Sequence, residues 1–294
     1  MTNFKLQKLT TVIKTITLAN ALIFSASAYA QQAERQYSVE LSDPSKPMFL
    51  DVEMYMGNIT IEGYEGQTVE IVAEVLNDFQ PDKHKDKWQK NWKRVDTNKP
   101  MRSTEGLTPV SHTAFNLEIM ESSNRVEIES EFGSKPVAIV VKVPQNASLD
   151  VNLYTGDSIN ISNISGNVEV ESHIGNINGT LITGPIVAET HASDIVIEFN
   201  TFSDSAPSSF ATHSGDIDIS LLANTASTVE VQNYQGQVLS GLGTEFESVD
   251  KVNKKQRENG QKIEIGSQLQ AKLNGGGQVM SINTYSGNVY LRQK

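Results

Sequence analysis

The 294-residue chain contains no cysteine, so disulfides and thiolate chemistry are excluded, as is a lipid anchor built on a cysteine behind a cleaved leader. Beyond residue 30, no run approaches the roughly 20 apolar residues that cross a bilayer as a helix. Basic residues are missing from the middle of the chain. Between Lys142 and Lys251 there is no lysine or arginine, while the same span holds 14 Asp and Glu residues. Such a surface repels phosphates and uronates, which argues against nucleic acid as a partner of this body. The GGxGxD phrase of calcium-binding nonapeptide repeats is also absent.

What is present starts with an address. Lys5, Lys8 and Lys14 form a basic leader, an apolar run follows from Leu18 to Phe24, and Ala28-Tyr29-Ala30 is a small-x-small cleavage site. Residues 1–30 therefore read as a cleaved signal peptide, and residues 31–294 as one exported domain. Losing the three leader lysines leaves 21 basic and 35 acidic residues, a formal net charge of −14. The expected location is the periplasm or the cell surface, with no membrane-spanning segment after cleavage.

One short phrase recurs through residues 150–238: an aromatic ring, a variable residue, a glycine or small residue, a small polar residue, then Ile or Val. It reads YTGDSI from Tyr154, HIGNI from His173, HASDI from His191, HSGDI from His213 and YQGQV from Tyr234, in steps of 19, 18, 22 and 21. The same phrase occurs as YMGNI from Tyr55 and YSGNV from Tyr285. A strand-only repeat of about 20 residues cannot bury its apolar face until the next unit stacks on it. The expected fold is all-β: a right-handed single-stranded β-helix, or β-solenoid, with about 20 residues per coil.

Strand alternation assigns the two faces. In VEVESH, Val168, Val170 and Ser172 share one side, and Glu169, Glu171 and His173 share the other. The same rule turns Thr155, Thr190, Thr212 and Asn233 inward and the rings outward. Gly156, Gly175 and Gly215 then mark corners, followed by the turn-tolerant side chains Asp157, Asn176, Asp194 and Asp216.

Two stretches depart from the repeat. The first, about 77–110, crowds Lys83, Lys85, Lys87, Lys90, Lys93, Arg94, Lys99 and Arg102 around Trp88 and Trp92. The four-residue Trp spacing puts both indoles on one face of a short helix between Pro81 and Pro100. The second, about 241–260, carries Lys251, Lys254, Lys255 and Arg257.

The run VAIVVKVPQNASLDVNLYTGDSINISNISGNVEVESHIGNINGTL, the recurring SGDI and SGNV corners and the terminal GGGQVMSINTYSGNVYL resemble a bacterial β-strand-repeat family of unknown function, commonly labelled putative adhesin. The resemblance covers most of the exported chain and is weakest across residues 78–135. It implies a right-handed β-helix with a cell-envelope or surface role. No catalytic motif belongs to that family, so none is carried over.

Three groups of side chains are candidates for function. The outward column Tyr154, His173, His191, His213 and Tyr234 spans about 19 Å at the usual strand spacing and offers ring faces to a sugar chain or a protein partner. Two neighbouring imidazoles with Glu171 or Glu189 could alternatively hold a divalent metal, whereas three imidazoles are too widely spaced for one ion. The plain alternative is that the rings stack on each other and stiffen a corner. The second group, Asp157, Asp194, Asp216 and Asp218, reads as turn chemistry, with a polysaccharide hydrolase acting through Asp194, Asp216 and Asp218 as the enzymatic alternative.

The third group, Lys87, Trp88, Trp92, Lys93 and Arg94, fits docking onto an acidic flank of this chain or a neighbour, contact with anionic lipid, or covering of a coil end. The resulting expectation is a non-enzymatic, envelope-associated, adhesin-like module for a glycan or protein partner, with no cofactor. A polysaccharide-active enzyme and an envelope-stress signalling component are the competing classes.

Overall fold

The computed structural model describes residues 35–76, 79, 116–257 and 260–294, with side chains described outside 251–265. The chain separates into two compact units, Met1–Gln31 and Gln32–Lys294, and the described residues all belong to the second. Residues 1–30, expected to be a leader, and the Trp-containing segment fall outside the described residues. No α-helix occurs among those described; the short helix expected between Pro81 and Pro100 lies outside them.

Among the described residues eighteen strands follow in order. The first six are β1 (Arg35–Glu40), β2 (Phe49–Tyr64), β3 (Thr68–Val75), β4 (Leu117–Ser122), β5 (Arg125–Ser130) and β6 (Val137–Pro144). The next six are β7 (Ser148–Ser162), β8 (Val168–Ile182), β9 (Ile186–Thr190), β10 (Ile195–Phe199), β11 (Ser208–Ser214) and β12 (Ile217–Leu221). The last six are β13 (Ser227–Gln235), β14 (Val238–Ser240), β15 (Glu247–Arg257), β16 (Gly260–Leu273), β17 (Val279–Ser286) and β18 (Val289–Gln293). All belong to one mixed, hydrogen-bonded sheet that does not close on itself.

The long strands β2, β7 and β8 explain how one sheet acquires an inside. Pairing register shifts between Met56 and Ile59 on β2, and between Thr155 and Ser158 on β7, where each strand turns a corner. Gly57 and Gly175 sit there with φ of 146° and 147°, a region that side chains with a Cβ rarely adopt. At Gly57 the backbone of the next rung is also too close, since a Cβ would lie 1.8 Å from the Val137 carbonyl oxygen. Each rung is thus a strand, a corner and a second strand.

Rungs pair in parallel, and their spatial order departs from the sequence order. β7 pairs with β8, β8 with β9 and β10, these with β11 and β12, and those with β17 and β18. The rung 227–240 lies beyond, because β13 pairs with β17 and β14 with β18. The C-terminal rung is therefore inserted between two earlier ones. The other end mirrors this arrangement: β2 lies between β7 on one side and β5 with β6 on the other.

Antiparallel strands finish both ends. β4 pairs with β5, β3 with β6 and β1 with β3; at the far end β16 pairs with β13 and β15 with β16. The stretch 241–260, expected as an interruption, is largely strand β15 and enters a hairpin with β16.

The alternation written into the sequence sets the interior. Leu50, Val52, Ile59, Ile61, Val151, Ile159, Val170, Ile177, Ile197, Ile219 and Ile282 are almost wholly buried in one continuous cluster. Phe199 and Phe210 are its largest fully buried side chains. β-Branched residues dominate because they pack well on a pleated surface and lose little rotamer freedom there. Stability without disulfides comes from this continuous apolar interior.

Candidate functional site

The first strand of each rung ends in a ring, and the parallel registry places these rings above one another. Tyr55, Tyr154, His173, His191, His213, Tyr285 and Tyr234 form one ladder in that order. Successive centroids are 5.0, 5.0, 5.1, 5.2, 5.0 and 5.7 Å apart. The first five gaps are parallel to within 10°, whereas Tyr234 tilts by 34°. Phe132 closes the opposite end by meeting Tyr55 edge-on at 4.6 Å.

The five rings singled out from sequence are thus in the ladder, and all are exposed. Two more were missed as members, although their phrases match: Tyr55 and Tyr285. Tyr285 separates His213 from Tyr234, because the C-terminal rung is inserted there. The inward neighbours Thr155, Ser172, Thr190 and Thr212 are buried, as alternation requires.

Ladder geometry corrects the expectation of open ring faces. At about 5 Å and near-zero tilt each interior ring covers its neighbours, so only edges meet solvent. Ring edges are the electropositive part of an aromatic quadrupole. The edges here also bring tyrosine hydroxyls and imidazole nitrogens. Only Tyr234, 74% exposed at the end, keeps a face free for stacking.

The same geometry bears on metal binding. Lone pairs of parallel stacked imidazoles point side by side rather than converging, while a metal needs convergent nitrogens at about 2.0–2.1 Å. Among the described residues, no group of three or more His, Asp or Glu side chains is arranged to hold an ion. The arrangement of two imidazoles with a carboxylate is accordingly not met.

Beside the rings runs a second outward column, two residues earlier on each strand. Register gives Glu129, Glu53, Asn152, Glu171, Glu189, Ala211, Asn283 and Gln232. A third column begins Glu127, Asp51, Asp150, Glu169. Two open depressions of about 400 and 420 Å³ lie along this face. The first is lined by Tyr55, Phe132, Tyr154 and His173 with Glu53 and Glu171; the second by His173, His191, His213 and Tyr285 with Glu171 and Glu189.

Arg125 meets the acidic end, donating to Asp51 and, at 2.8 Å, to Glu127, and these bonds hold its guanidinium pKa above the ordinary value. The hydrogen bond to Glu127 is the main cause. Asn124, in the turn of the β4–β5 hairpin, ties that turn to the segment around Asp43. Its side-chain oxygen accepts the Asp43 N–H at 2.7 Å and its amide donates to the Asp43 carbonyl at 2.6 Å.

The acidic corner column behaves as turn chemistry. The Asp194 carboxylate accepts the Asp216 N–H at 2.7 Å, and the Asp216 carboxylate accepts the Asn288 N–H at 2.6 Å. Asn58 accepts the Asp157 N–H at 2.9 Å, and Asn176 accepts that of Asp194 at 3.2 Å. Asp218 is set apart on β12, where Arg292 donates to it through two nitrogens at 2.8 Å and is held more basic by that contact. None of Asp194, Asp216 and Asp218 lines either depression. Lys87, Trp88, Trp92, Lys93 and Arg94 lie outside the described residues.

Comparison with known proteins yields two structural likenesses. The chain is similar to a crystal structure of a putative cell adhesion protein from Clostridium sporogenes, with 12% identity, a TM-score of 0.40, and coverage of 90% of this chain and 100% of that one. It is also similar to a crystal structure of a putative adhesin from Bacteroides fragilis, with 10% identity, a TM-score of 0.29, and coverage of 90% and 98%. No family model matches the sequence, and no curated protein matches it.

Proposed function

We propose that the protein is an exported, envelope-associated binding module, adhesin-like in role, built as a right-handed single-stranded β-helix. In this reading the ladder Tyr154, His173, His191, His213 and Tyr234, extended by Tyr55 and Tyr285, is its contact surface for a glycan or protein partner. The observation that carries the reading is the unbroken row of seven stacked rings, six of them exposed and Tyr55 half-buried, beside a row of carboxylates and amides.

The mode of contact follows from which atoms are free. Interior rings have covered faces, so a saccharide lying along the ladder meets hydroxyls, imidazole edges and the Glu171, Glu189 and Asn283 side chains by hydrogen bonding. Stacking is confined to Tyr234. Non-enzymatic action is supported by the use of Asp194 and Asp216 in corner hydrogen bonds. The basic group Lys87, Trp88, Trp92, Lys93 and Arg94 is assigned to partner docking, on charge complementarity with the acidic body. Periplasmic or surface location rests on the leader-like residues 1–30.

Glycan-array binding and binding to isolated envelopes, with the protein localised by fractionation, test the proposal. His173→Ala with His191→Ala is expected to lose binding while keeping the folded spectrum. Binding that is absent from the unaltered protein, or unchanged in the double variant, refutes the role given to the ladder.

A further inference from the structure

The three histidines among the described residues stand on consecutive rungs of the ladder, and all three are exposed. His173 stacks on His191 at 5.1 Å and 8°, and His191 on His213 at 5.2 Å and 6°. Tyrosine fills the same position on either side, at Tyr154 and Tyr285. A tyrosine would serve the stack on every rung, whereas imidazole is the side chain whose charge ordinarily changes between about pH 5 and 8. The proton-binding groups of the ladder are thus gathered at its centre.

The groups that face these imidazoles are few. On β8 and β9, Glu171 and Glu189 lie two residues earlier, about 6–7 Å along the strand, and are direct cross-strand neighbours. On β11 that place is taken by Ala211, and the flanking strands β7 and β17 put Asn152 and Asn283 there. One place further back stand Asp150 and Glu169, followed by the uncharged Val187, Ser209 and Ser281. On the corner side, Asp194 and Asp216 come three residues after His191 and His213, with their carboxylates taken up by backbone N–H groups.

No lysine or arginine lines the depression of about 420 Å³ that these imidazoles share. With neutral rings its charge is that of the two carboxylates, Glu171 and Glu189. With three imidazolium ions against those two carboxylates, its sign reverses.

A cation suits the neutral-ring state, and the same face shows how one is held. Asp51 and Glu127 are cross-strand neighbours, and Arg125 donates to both. Glu171 and Glu189 are paired in the same way, and among the described residues no lysine or arginine meets them. Like charges directly opposite destabilise a sheet, and an ammonium or guanidinium group between them removes that cost. The depression runs open along the rungs, which fits an extended chain bearing such groups.

We infer that His173, His191 and His213 form a proton gate on this face: with neutral rings it holds a lysine- or arginine-bearing extended segment of a partner protein, and protonation of the rings releases it. This rests on the reading of the ladder as a contact surface, and adds the charge of the partner and the control of its release. The rings are about 5 Å apart, within the screening length of about 8 Å at physiological salt, so a bound cation meets all three. Each positive charge added about 6 Å away in water weakens a cationic ligand by about threefold, and three of them by about tenfold or more.

Fluorescence anisotropy with a labelled oligolysine peptide tests the inference at about pH 7.5 and about pH 5.5, a window in which neither lysine nor glutamate ordinarily changes charge. The unaltered protein is expected to bind at the higher pH and to weaken by about tenfold or more at the lower. His173→Tyr with His191→Tyr and His213→Tyr keeps a ring on every rung and removes the gate, so its two affinities are expected to agree within about twofold. His213→Tyr alone should leave an intermediate ratio. Glu171→Gln with Glu189→Gln is expected to lose peptide binding at the higher pH.

Absence of peptide binding at about pH 7.5, equal affinities at the two pH values in the unaltered protein, or a full pH effect in the triple variant overturns the inference. Envelope binding by the same proteins separates this claim from the one beneath it. If envelopes are bound through the ladder while the peptide is ignored or held equally at both pH values, the gate falls and the contact role stands. If changes to the ladder leave envelope binding untouched, the contact role falls and the gate with it.

Discussion

The insertion of the C-terminal rung predicts an energetic coupling that the sequence order would not suggest. His213 precedes Tyr234 by 21 residues and Tyr285 by 72, yet its ring lies 5.0 Å from Tyr285 at 7° tilt, with Tyr285 between it and Tyr234. Stacked aromatic pairs contribute about 0.5–1.5 kcal/mol beyond their area, and the half-exposed setting of these rings places each pair near the lower part of that range, about 0.5–1 kcal/mol. His213→Ala removes two such contacts, with His191 and Tyr285, and is expected to cost about 1–2 kcal/mol. For a chain of this size that is a fall in melting temperature of about 2–8 °C.

A double-mutant cycle in urea separates the pairs. His213→Ala with Tyr285→Ala should show coupling of about 0.5–1 kcal/mol, while His213→Ala with Tyr234→Ala should be additive to within about 0.3–0.5 kcal/mol. Additivity of His213 with Tyr285, together with coupling of His213 to Tyr234, would mean that the rungs stack in sequence order and that the arrangement described here is wrong.

Other perturbations have equally definite outcomes. Phe210→Ala empties a fully buried position and should lower stability by about 3–5 kcal/mol in denaturant titration. Gly57→Ala forces a Cβ against the Val137 carbonyl at a φ of 146°, so thermal melting should report a loss of more than about 1–2 kcal/mol. Thr190→Val should be neutral or stabilising in the same assay, because the buried Thr190 hydroxyl has no hydrogen-bond partner to lose.

The Glu121 carboxyl is held below its ordinary pKa by the Ser42 N–H, with the Ser42 hydroxyl second, and Asp43 is lowered first by Lys46. A carboxyl whose folded pKa is lowered contributes stability that is fully present above its unfolded value and is lost as pH falls through the folded one. Amide exchange near Ser42 should therefore be unchanged from pH 8 to 5, once corrected for intrinsic rate, and rise below about pH 4.

Much of this arrangement was readable because corners and faces are local. A ring followed by glycine and an Asx residue marks a place where the chain bends, and alternation in VEVESH fixes which neighbours enter the core; both follow from backbone geometry. The order of rungs is not local. Tyr55 and Tyr285 bear the same phrase as the others, but nothing in the phrase states that their strands lie one place inward from the ends. That depends on which edge remains open when the strand arrives.

The covering of ring faces was also hidden, since it follows from the spacing between strands rather than from any single strand. The run from Glu247 to Arg257 was obscured for a different reason. Its charges interrupt the apolar alternation, and in the described ladders β15 pairs with β16 and no other strand.

The inward placement of the first and last rungs has a consequence for how the chain matures. Strands β17 and β18 complete a slot whose two walls, 208–221 and 227–240, are both made earlier from the N-terminus. Until they arrive, the hydrogen-bonding edges of both walls stand open to wrong partners, and these late, distant pairings are slow to form. A polypeptide made from its N-terminus therefore cannot finish itself piecemeal. Residues 279–293 act as a keystone, and a copy truncated before Val279 would be left with a gap one rung in from its end rather than a shorter end.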